Sequence, residues 1–402
     1  MIKTAKAPNQ QPAQRQEEAR SKSLTTIAWE QFRKHQLARI ALVILGILYV
    51  FAAFADFIAP YKETRIYSSL TFQPPATIHW RDENGNFSRP YIYAMEGVIN
   101  RETFKKVWTE DTSQKYYLKF FVHSVNPRDK YVPFPVNLIP ERLRQQLGIR
   151  PWATLHLFGI DDPTDRVKFF LWGSDDLGRD VFGQIWYGAR ISLTIGIFAS
   201  IFALTLGMLM GGLAGYFGGW VDEIIMRFIE ALTAIPGIPL LVTMSAIFLP
   251  LNLPTSTVFF LVVVSLAVIG WGGIARTVRG QVLSLRERDY ATAAKALGAS
   301  DWRVIINHLL PQTLTYAIIV MSLAIPGYIS TEAVLSFVGL GIQPPSTSWG
   351  QMLATAQSFT GVNGLGERWW IYIPGIFIFI SILCWNLLGD GVRDAFDPKS
   401  RK

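Results

Sequence analysis

The sequence predicts an all-α polytopic membrane protein with six transmembrane helices and a strand-rich extracytoplasmic insert between the first two. Three observations support this fold class. Half of the 402 residues are hydrophobic and only 17% are charged, which is typical of membrane proteins. Six stretches reach the roughly 20 apolar residues that a helix needs to cross a bilayer. The long segment between the first two stretches has a different, strand-prone composition.

The six apolar stretches set the order of the predicted elements. They cover residues 37–59, 191–217, 223–250, 256–275, 312–337 and 370–389. The predicted regions are an N-terminal tail (1–36), a first transmembrane helix (37–60), the insert (61–172), a segment leading into the core (173–187), a helical core (188–390) that contains a polar loop (276–311), and a C-terminal tail (391–402).

The basic residues predict the orientation of the chain. Basic residues mark the N-terminal tail, the segment 276–303 and the C-terminus, as is typical of cytoplasmic segments of membrane proteins. The insert 61–172 carries many basic residues too, but long loops are translocated largely regardless of their charge. Six crossings also return both termini to one side, so both are expected in the cytoplasm. The net charge of +8 is therefore explained by topology and not by nucleic-acid binding. The polar opening argues against a cleaved signal peptide, and the first span is expected to remain as an anchor.

Short β-prone pieces characterise the insert. "YIYAM" and "KYYLKFFVHSV" are separated by turn-forming stretches such as "DENGN" and "NPRD", which predicts a small strand-rich domain. Two interpretations stay open: the insert is a plug or scaffold, or it is a docking surface for an external partner.

Gly207, Gly211 and Gly215 form a ladder in the second span. Glycines four residues apart leave one helix face without side chains, so a neighbouring helix can approach closely. The alternative is that glycine is simply common in membrane helices.

The polar loop predicts two short helices on the cytoplasmic side. "ATAAKAL" favours a helix, Gly298 ends it, and Ser300 or Asp301 can cap a second helix. Trp302, Ile305, Ile306 and Leu309 would share one face of this second helix. Pro311 would mark the start of the next span. Such a unit could transmit movement from a partner to the membrane helices, although it could also lie on the lipid surface.

The loop resembles the cytoplasmic signature of ATP-binding-cassette (ABC) importer permeases. That signature reads Glu-Ala-Ala, three residues, Gly, nine residues, Ile, one residue, Leu-Pro. The matching residues are Ala293, Ala294, Gly298, Leu310 and Pro311. Thr292 stands in place of Glu and His308 in place of Ile, as is common in the peptide and nickel branch.

Further motifs resemble the same branch, in the order expected for the second permease of oligopeptide, dipeptide and nickel importers. They are "GSDDLGRDVFGQIWYGARISLTIG", "GGWVDEIIMRFIEALTAIPGIPLL", "EAVLSFVGLGIQPPSTSWGQML" and "GDGVRDAFDP". The long insert resembles that of a subgroup linked to longer peptides and peptide-like antibiotics.

The resemblance implies a type I ABC importer permease fold and a location in the bacterial inner membrane. It also implies the partners: a second permease subunit, two ATP-binding subunits that hold ATP and Mg²⁺, and an extracytoplasmic solute-binding protein. Residues 290–303, including Ala299, Ser300 and Asp301, would then dock on an ATPase. The chain itself contains no Gly-Lys dipeptide, so it lacks the lysine-containing phosphate loop, and no cofactor of its own is expected. The resemblance leaves the substrate open among dipeptides, oligopeptides, peptide antibiotics and nickel complexes.

Two acidic residues are candidate intramembrane polar groups, because charge is costly in lipid. For Glu332 we favour a hydrogen bond between packed helices over a transport role. Glu230 lies near Asp222 and Arg227, where a local ion-pair network is expected.

Little in the sequence indicates catalysis or a metal site. The lone Cys384 excludes an intrachain disulfide, and the five histidines show no metal-ligand spacing. "DDPTD", residues 161–165, matches the diphosphate motif of prenyl-transferring enzymes, but Pro163 disfavours the helix those enzymes use. Two alternatives to an importer subunit remain: a proton-driven secondary transporter, which would need an acidic relay and a repeated half, and a membrane-bound prenyl-type enzyme.

Overall fold

The computed structural model describes residues 24–82, 85–99, 101–102, 106–124, 130–136, 139, 141–162, 166–251, 253–360 and 364–396. Before the insert, α1 spans Leu24–Phe32, α2 spans Gln36–Ala53 and α3 spans Ala55–Ile58. α2 is long and apolar enough to cross a membrane. The side chain of His35 accepts a hydrogen bond from the Ala38 amide and so caps α2.

The insert contains a four-stranded antiparallel sheet in the order β1-β2-β3-β4. The strands are β1 (His79–Arg81), β2 (Phe87–Ile99), β3 (Lys106–His123) and β4 (Leu155–Ile160), and a short helix α4 (Glu141–Gln146) lies between the last two. β4 contacts α3, where the His156 Nδ1 atom lies 2.7 Å from the carbonyl oxygen of Ala59. The predicted strand-rich insert is confirmed.

The helical core follows the insert. Its helices are α5 (Val181–Phe217), α6 (Gly219–Ala234), α7 (Gly237–Phe248), α8 (Thr255–Leu285), α9 (Asp289–Ala296), α10 (Asp301–Val304), α11 (Leu310–Phe337), α12 (Trp349–Thr360), α13 (Gly364–Glu367) and α14 (Ile373–Phe396). α5 packs most extensively against α8, and α11 packs against both α5 and α14. α1 and α2 pack against α14.

The third predicted span, 223–250, is not one straight helix. α6 and α7 meet at an angle of 85°. Pro236 separates them, and Ile235 is extended, with φ −87° and ψ 127°. A proline disfavours helical geometry in the residue before it and lacks an amide hydrogen, so the break has a local cause. The described residues thus hold five long apolar helices, or six spans when this bent pair counts as one, which agrees with the predicted fold class.

The helix ends also differ from the predicted ones. α5 begins at Val181, ten residues before the predicted stretch, because Asp180 caps it by accepting a hydrogen bond from the Gly183 amide at 2.9 Å. The fifth span is continuous with α10 and covers Asp301–Phe337. A π-turn at Ile305–Leu309 connects α10 to α11 just before Pro311. Pro311 therefore lies inside a continuous helix, where the wider turn accommodates its missing amide hydrogen.

Candidate functional site

The segment Asp289–Pro311, here called the coupling segment, forms a helix, a tight turn and a second helix. Gly298 adopts φ +86°, which glycine reaches without steric cost. The Gly298 amide donates to the Lys295 carbonyl at 3.0 Å, and the Ala299 amide donates to the Ala294 carbonyl at 3.1 Å. These two bonds form a Schellman motif, which fixes the direction in which the chain leaves α9.

The second helix begins with a side-chain cap. The hydroxyl of Ser300 accepts a hydrogen bond from the Arg303 amide at 3.4 Å, and its carbonyl accepts one from the Val304 amide at 3.0 Å. Asp301 is the first helical residue, where a carboxylate interacts favourably with the helix dipole. The turn between the helices is therefore defined at both ends.

Three polar side chains tie the coupling segment to the end of α5. The Tyr216 hydroxyl donates to Asp301 Oδ1 at 2.5 Å, and Lys295 Nζ lies 3.4 Å from the same oxygen. The Lys295 ammonium also lies 5.5 Å from the centre of the Tyr216 ring. Hydrogen bonds to Asp301 and then to Tyr216 raise the pKa of Lys295. The contact joins α9, α10 and α5.

Arg286 makes a second link at the end of α8. Its Nη1 atom donates to the carbonyl oxygens of Gly215 and Tyr216 at 3.2 and 3.1 Å. These carbonyls belong to the last turn of α5, where the carbonyl groups have no hydrogen-bond donor within the helix. A cation is favourable there because it interacts with the negative end of the helix dipole. The sequence interpretation missed both Arg286 and Tyr216. The only sequence signal that could have pointed to Arg286 and Tyr216 is that each lies beside the end of a helix.

Apolar packing holds one side of the coupling segment against the core. Ala291, Val304, Ile305 and Leu309 are buried in a cluster with residues of α8. Trp302, which the sequence placed on the same face as Ile305, is instead 56% exposed. Val304 takes the buried position because the π-turn after it changes the helical register.

The opposite side of the segment exposes large apolar side chains. Leu297, beside the glycine turn, is 90% exposed, and Trp302 and Tyr290 are also exposed. Of the other predicted coupling residues, Ala293, Ser300 and Pro311 are exposed, Ala294, Ala299 and Asp301 are half-buried, and Leu310 is buried. The segment thus presents an apolar tip on a base fixed to two membrane helices.

The glycine ladder of α5 faces α8. A Cβ atom at Gly207 would lie 2.7 Å from the Ile274 side chain, and one at Gly215 would lie 2.7 Å from the Arg279 carbonyl oxygen. At Gly211 it would overlap the carbonyl oxygen of Ala275. The backbones of the two helices therefore approach more closely than any side chain would allow.

Glu332 is fully buried between helices. Its carboxylate accepts hydrogen bonds from the hydroxyls of Ser192 on α5, at 3.2 Å, and Ser336 on α11, at 2.7 Å. The Ser192 hydroxyl in turn accepts a hydrogen bond from the Trp349 amide at 3.1 Å. The carboxyl group therefore connects α5, α11 and the start of α12.

Glu230 lies in a different environment. It is exposed and lies 3.1 Å from Arg227, which is also exposed, and such surface pairs contribute little stability. A stronger pair lies nearby: Arg279 on α8 donates through two nitrogens to both oxygens of Asp222 on α6, at 2.6 and 2.5 Å. This two-point contact has the geometry of the strong arginine–carboxylate pairs, and the sequence interpretation did not identify Arg279.

The motif "DDPTD" is engaged in local contacts where it is described. Asp161 forms a salt bridge with Lys119 at 2.6 Å, and Asp162 accepts hydrogen bonds from the amides of Arg166 and Val167. Residues 163–165 lie outside the described residues. Within the part of the chain that is described, no group of three or more His, Cys, Asp or Glu side chains could hold a metal ion.

Comparison with known proteins gives two family matches. The model of the binding-protein-dependent transport system inner membrane component matches residues 188–402. The model of the N-terminal TM domain of oligopeptide transport permease C matches residues 23–75.

Curated proteins similar to this chain include two from Bacillus subtilis (strain 168). The dipeptide transport system permease protein DppC is 43% identical over 57% of this chain and 69% of its own length. The oligopeptide transport system permease protein OppC is 38% identical over 62% and 78%. The glutathione transport system permease protein GsiD of Pectobacterium atrosepticum is 41% identical over 62% and 80%. Among solved structures, an amino acid ABC transporter matches with a TM-score of 0.38 and 16% identity, over 52% of this chain and 92% of that chain.

Proposed function

Because this chain belongs to the family of binding-protein-dependent transport system inner membrane components, it is a permease subunit of an ABC importer, and we propose that it carries peptides. The resemblance predicted from the motifs is thereby confirmed, and the secondary-transporter and prenyl-enzyme alternatives are set aside. Support for the substrate class comes from the relatives named for dipeptide, oligopeptide and glutathione transport.

The proposed assembly contains partners that the family implies. ATPase and permease partners are expected of any such importer. We propose that the assembly has two ATPase subunits, which hold ATP and Mg²⁺, a second permease subunit and an extracytoplasmic solute-binding protein. The membrane is the bacterial inner membrane, with both termini in the cytoplasm. The basic residues near the coupling segment support this orientation.

The coupling segment is the proposed ATPase contact. The observation that carries this assignment is the apolar tip at Leu297, 90% exposed, on a base joined to α5 through Asp301 and Tyr216. An exposed leucine beside a rigid turn suits insertion into a groove of another protein. Movement of the ATPases would then reach α5 and α8 directly, and could switch the path between two openings.

Replacing Gly298 tests the assignment. Gly298→Val should abolish peptide uptake while the protein stays in the membrane, because a β-branched residue is strained at φ +86° although no atom lies within 4 Å of the added Cβ. Uptake of a radiolabelled peptide by cells expressing the complete importer measures the effect.

Two variants serve as controls. Gly298→Asn should retain most uptake, because asparagine tolerates the left-handed conformation. Gly280→Val adds the same side chain at an exposed helical position of α8 where nothing lies within 4 Å, and should leave uptake near the wild-type level. Full uptake by Gly298→Val, with ATPase subunits still co-purifying, would show that the coupling assignment is wrong.

A further inference from the structure

A polar cavity of about 680 Å³ lies at the end of the helix bundle that carries the insert. Its wall combines residues of the insert, of the first turns of α5 and α8, and of the loop that follows α11. Charged side chains line it from several elements: Asp56, Lys62, Glu63, Arg144 and Arg190. The volume is in the range of small-ligand pockets, and a polar wall at this place requires a polar occupant.

One pair of these charges is already matched. Arg190 Nη2 lies 2.6 Å from Asp56 Oδ2, and its guanidinium also donates to the carbonyl oxygens of Ala52 and Ala53 at 2.6 and 3.0 Å. Those carbonyls end α2, so this arginine holds the end of the first span. Glu63 supplies the other negative charge of the wall, and Lys62 and Arg144 supply the other positive charges.

Glu63 is a half-buried carboxylate that accepts a hydrogen bond from the protein backbone. Its Oε1 atom accepts from the Thr347 amide at 2.9 Å, and among the described residues no lysine, arginine or histidine forms a salt bridge with it. Burial raises the pKa of Glu63 to about 7, with smaller opposing effects from Thr347 and Arg190. A ligand ammonium group would supply the missing counter-charge.

Arg144 presents the complementary group. It lies on α4 and lines the cavity, and its Nε atom is shielded from solvent without a hydrogen-bond partner among the described residues. A guanidinium nitrogen removed from water needs an acceptor. A carboxylate fits best, since it accepts two parallel hydrogen bonds from arginine.

A smaller apolar cavity adjoins the polar one. It has a volume of about 280 Å³ and shares Thr255 and Pro345 with the larger cavity. Its wall includes Phe248, Val258 and Val262. The two cavities together offer an anion, a cation and an apolar recess next to one another.

We propose that this pair of cavities binds a short peptide in its zwitterionic form, with the α-ammonium group at Glu63, the α-carboxylate at Arg144 and an apolar side chain in the smaller cavity. The inference rests on the proposed peptide import, and it assigns a substrate site to the permease itself. Formed partly by the insert, the site also gives that domain a role, because α4 supplies Arg144 to the cavity wall.

Calorimetric titration of the peptide Ala-Phe-Ala into the detergent-solubilised importer, free of nucleotide and binding protein, tests the site. Glu63→Gln and Arg144→Gln should each weaken binding by about tenfold or more, since each removes one charge-assisted contact. The same peptide acetylated at its N-terminus and amidated at its C-terminus should bind the wild-type protein at least as weakly as the unblocked peptide binds either cavity variant. Glu96→Gln and Arg89→Gln, on exposed positions of β2, are matched controls that should bind like wild type.

The outcomes separate the site from the function. Equal affinities in wild type and both cavity variants, or full affinity for the blocked peptide, would overturn the site even while peptide uptake continues. Failure of the wild-type importer to take up Ala-Phe-Ala in vesicles supplied with its binding protein would defeat the proposed function. Calorimetry would then still test the proposed peptide site. Binding to the wild-type protein that is lost in the two cavity variants would support the site, and absence of binding to the wild-type protein would reject it.

Discussion

Single charged residues in this chain take three different roles, which their surroundings determine. Glu332 is buried and hydrogen-bonded to serines of two helices, so it stabilises the packing of α5 against α11. Glu230 is exposed beside Arg227 and contributes little. Glu63 is half-buried beside a cavity, none of the described cations forms a salt bridge with it, and its partial removal from water opposes ionisation. Sequence alone shows an acidic residue in each case and cannot distinguish these environments.

The raised pKa of Glu63 predicts a pH-dependent stability. The folded protein holds this proton up to about pH 7, whereas the ordinary value is 4.5, so stability is lost as pH rises between those values and then stays constant. Glu63→Gln removes the titration and should gain stability over wild type as pH rises, by up to about 3 kcal/mol. Thermal unfolding of the purified importer at about pH 5 and about pH 8 measures the difference.

The charged groups that act on the pKa of Glu63 are Asp56, Arg190 and Arg179; they remain in the variant, as do Lys62 and Arg144 of the cavity wall. Asp180, whose pKa burial also raises to about 7, is likewise present in both proteins and cancels in the comparison. A constant difference between the two proteins across this pH range would contradict the raised pKa of Glu63.

Close helix approach is the main feature at the scale of elements. The ladder of Gly207, Gly211 and Gly215 brings α5 against α8, and these two helices also carry the ties to the coupling segment. A tight contact between them lets movement of the segment act on both as a unit. Loose packing at this point would let the ends of α5 and α8 shift independently.

Gly211→Val tests the contact. The added side chain would overlap the backbone of Ala275, so we expect destabilisation of about 1–3 kcal/mol or failure to assemble. Gly273→Val, on α8 with nothing within 4 Å of its Cβ, is the matched control and should behave like wild type. The thermal midpoint of the purified complex is the measurement. Equal midpoints for the two variants would mean that α5 and α8 do not approach through the ladder.

The elements differ in how far the sequence determines them. Apolar length alone predicts most spans, and alternation with turn residues predicts the strands of the insert. The proline at position 236 is a sequence signal for the 85° bend between α6 and α7. A proline next to an apolar run can also lie within a continuous helix, however, as Pro311 does after the π-turn. Neighbouring helices decide between these outcomes. For the same reason the exposure of Trp302 and the tie from Tyr216 to Asp301 depend on tertiary packing.

At the scale of the molecule, we propose that the two ends of the helix bundle have separate functions. One end carries the apolar tip of the coupling segment, and the other carries the polar cavity beneath the insert. α5 joins them, because its first turns line the cavity and its last turn holds Asp301 and Arg286. A push on the coupling segment can therefore reach the cavity through one continuous helix.

Cross-linking from Leu297 tests the central claim most directly. In a Cys384→Ala background, Leu297→Cys should form a thiol cross-link to an ATPase subunit, with a yield that changes when ATP is added. Phe121→Cys, exposed on β3 of the insert, should capture no ATPase. If an importer that still transports peptide gave no ATPase adduct from Leu297→Cys, or gave as much from Phe121→Cys, the coupling segment would not be the contact through which ATP drives this permease.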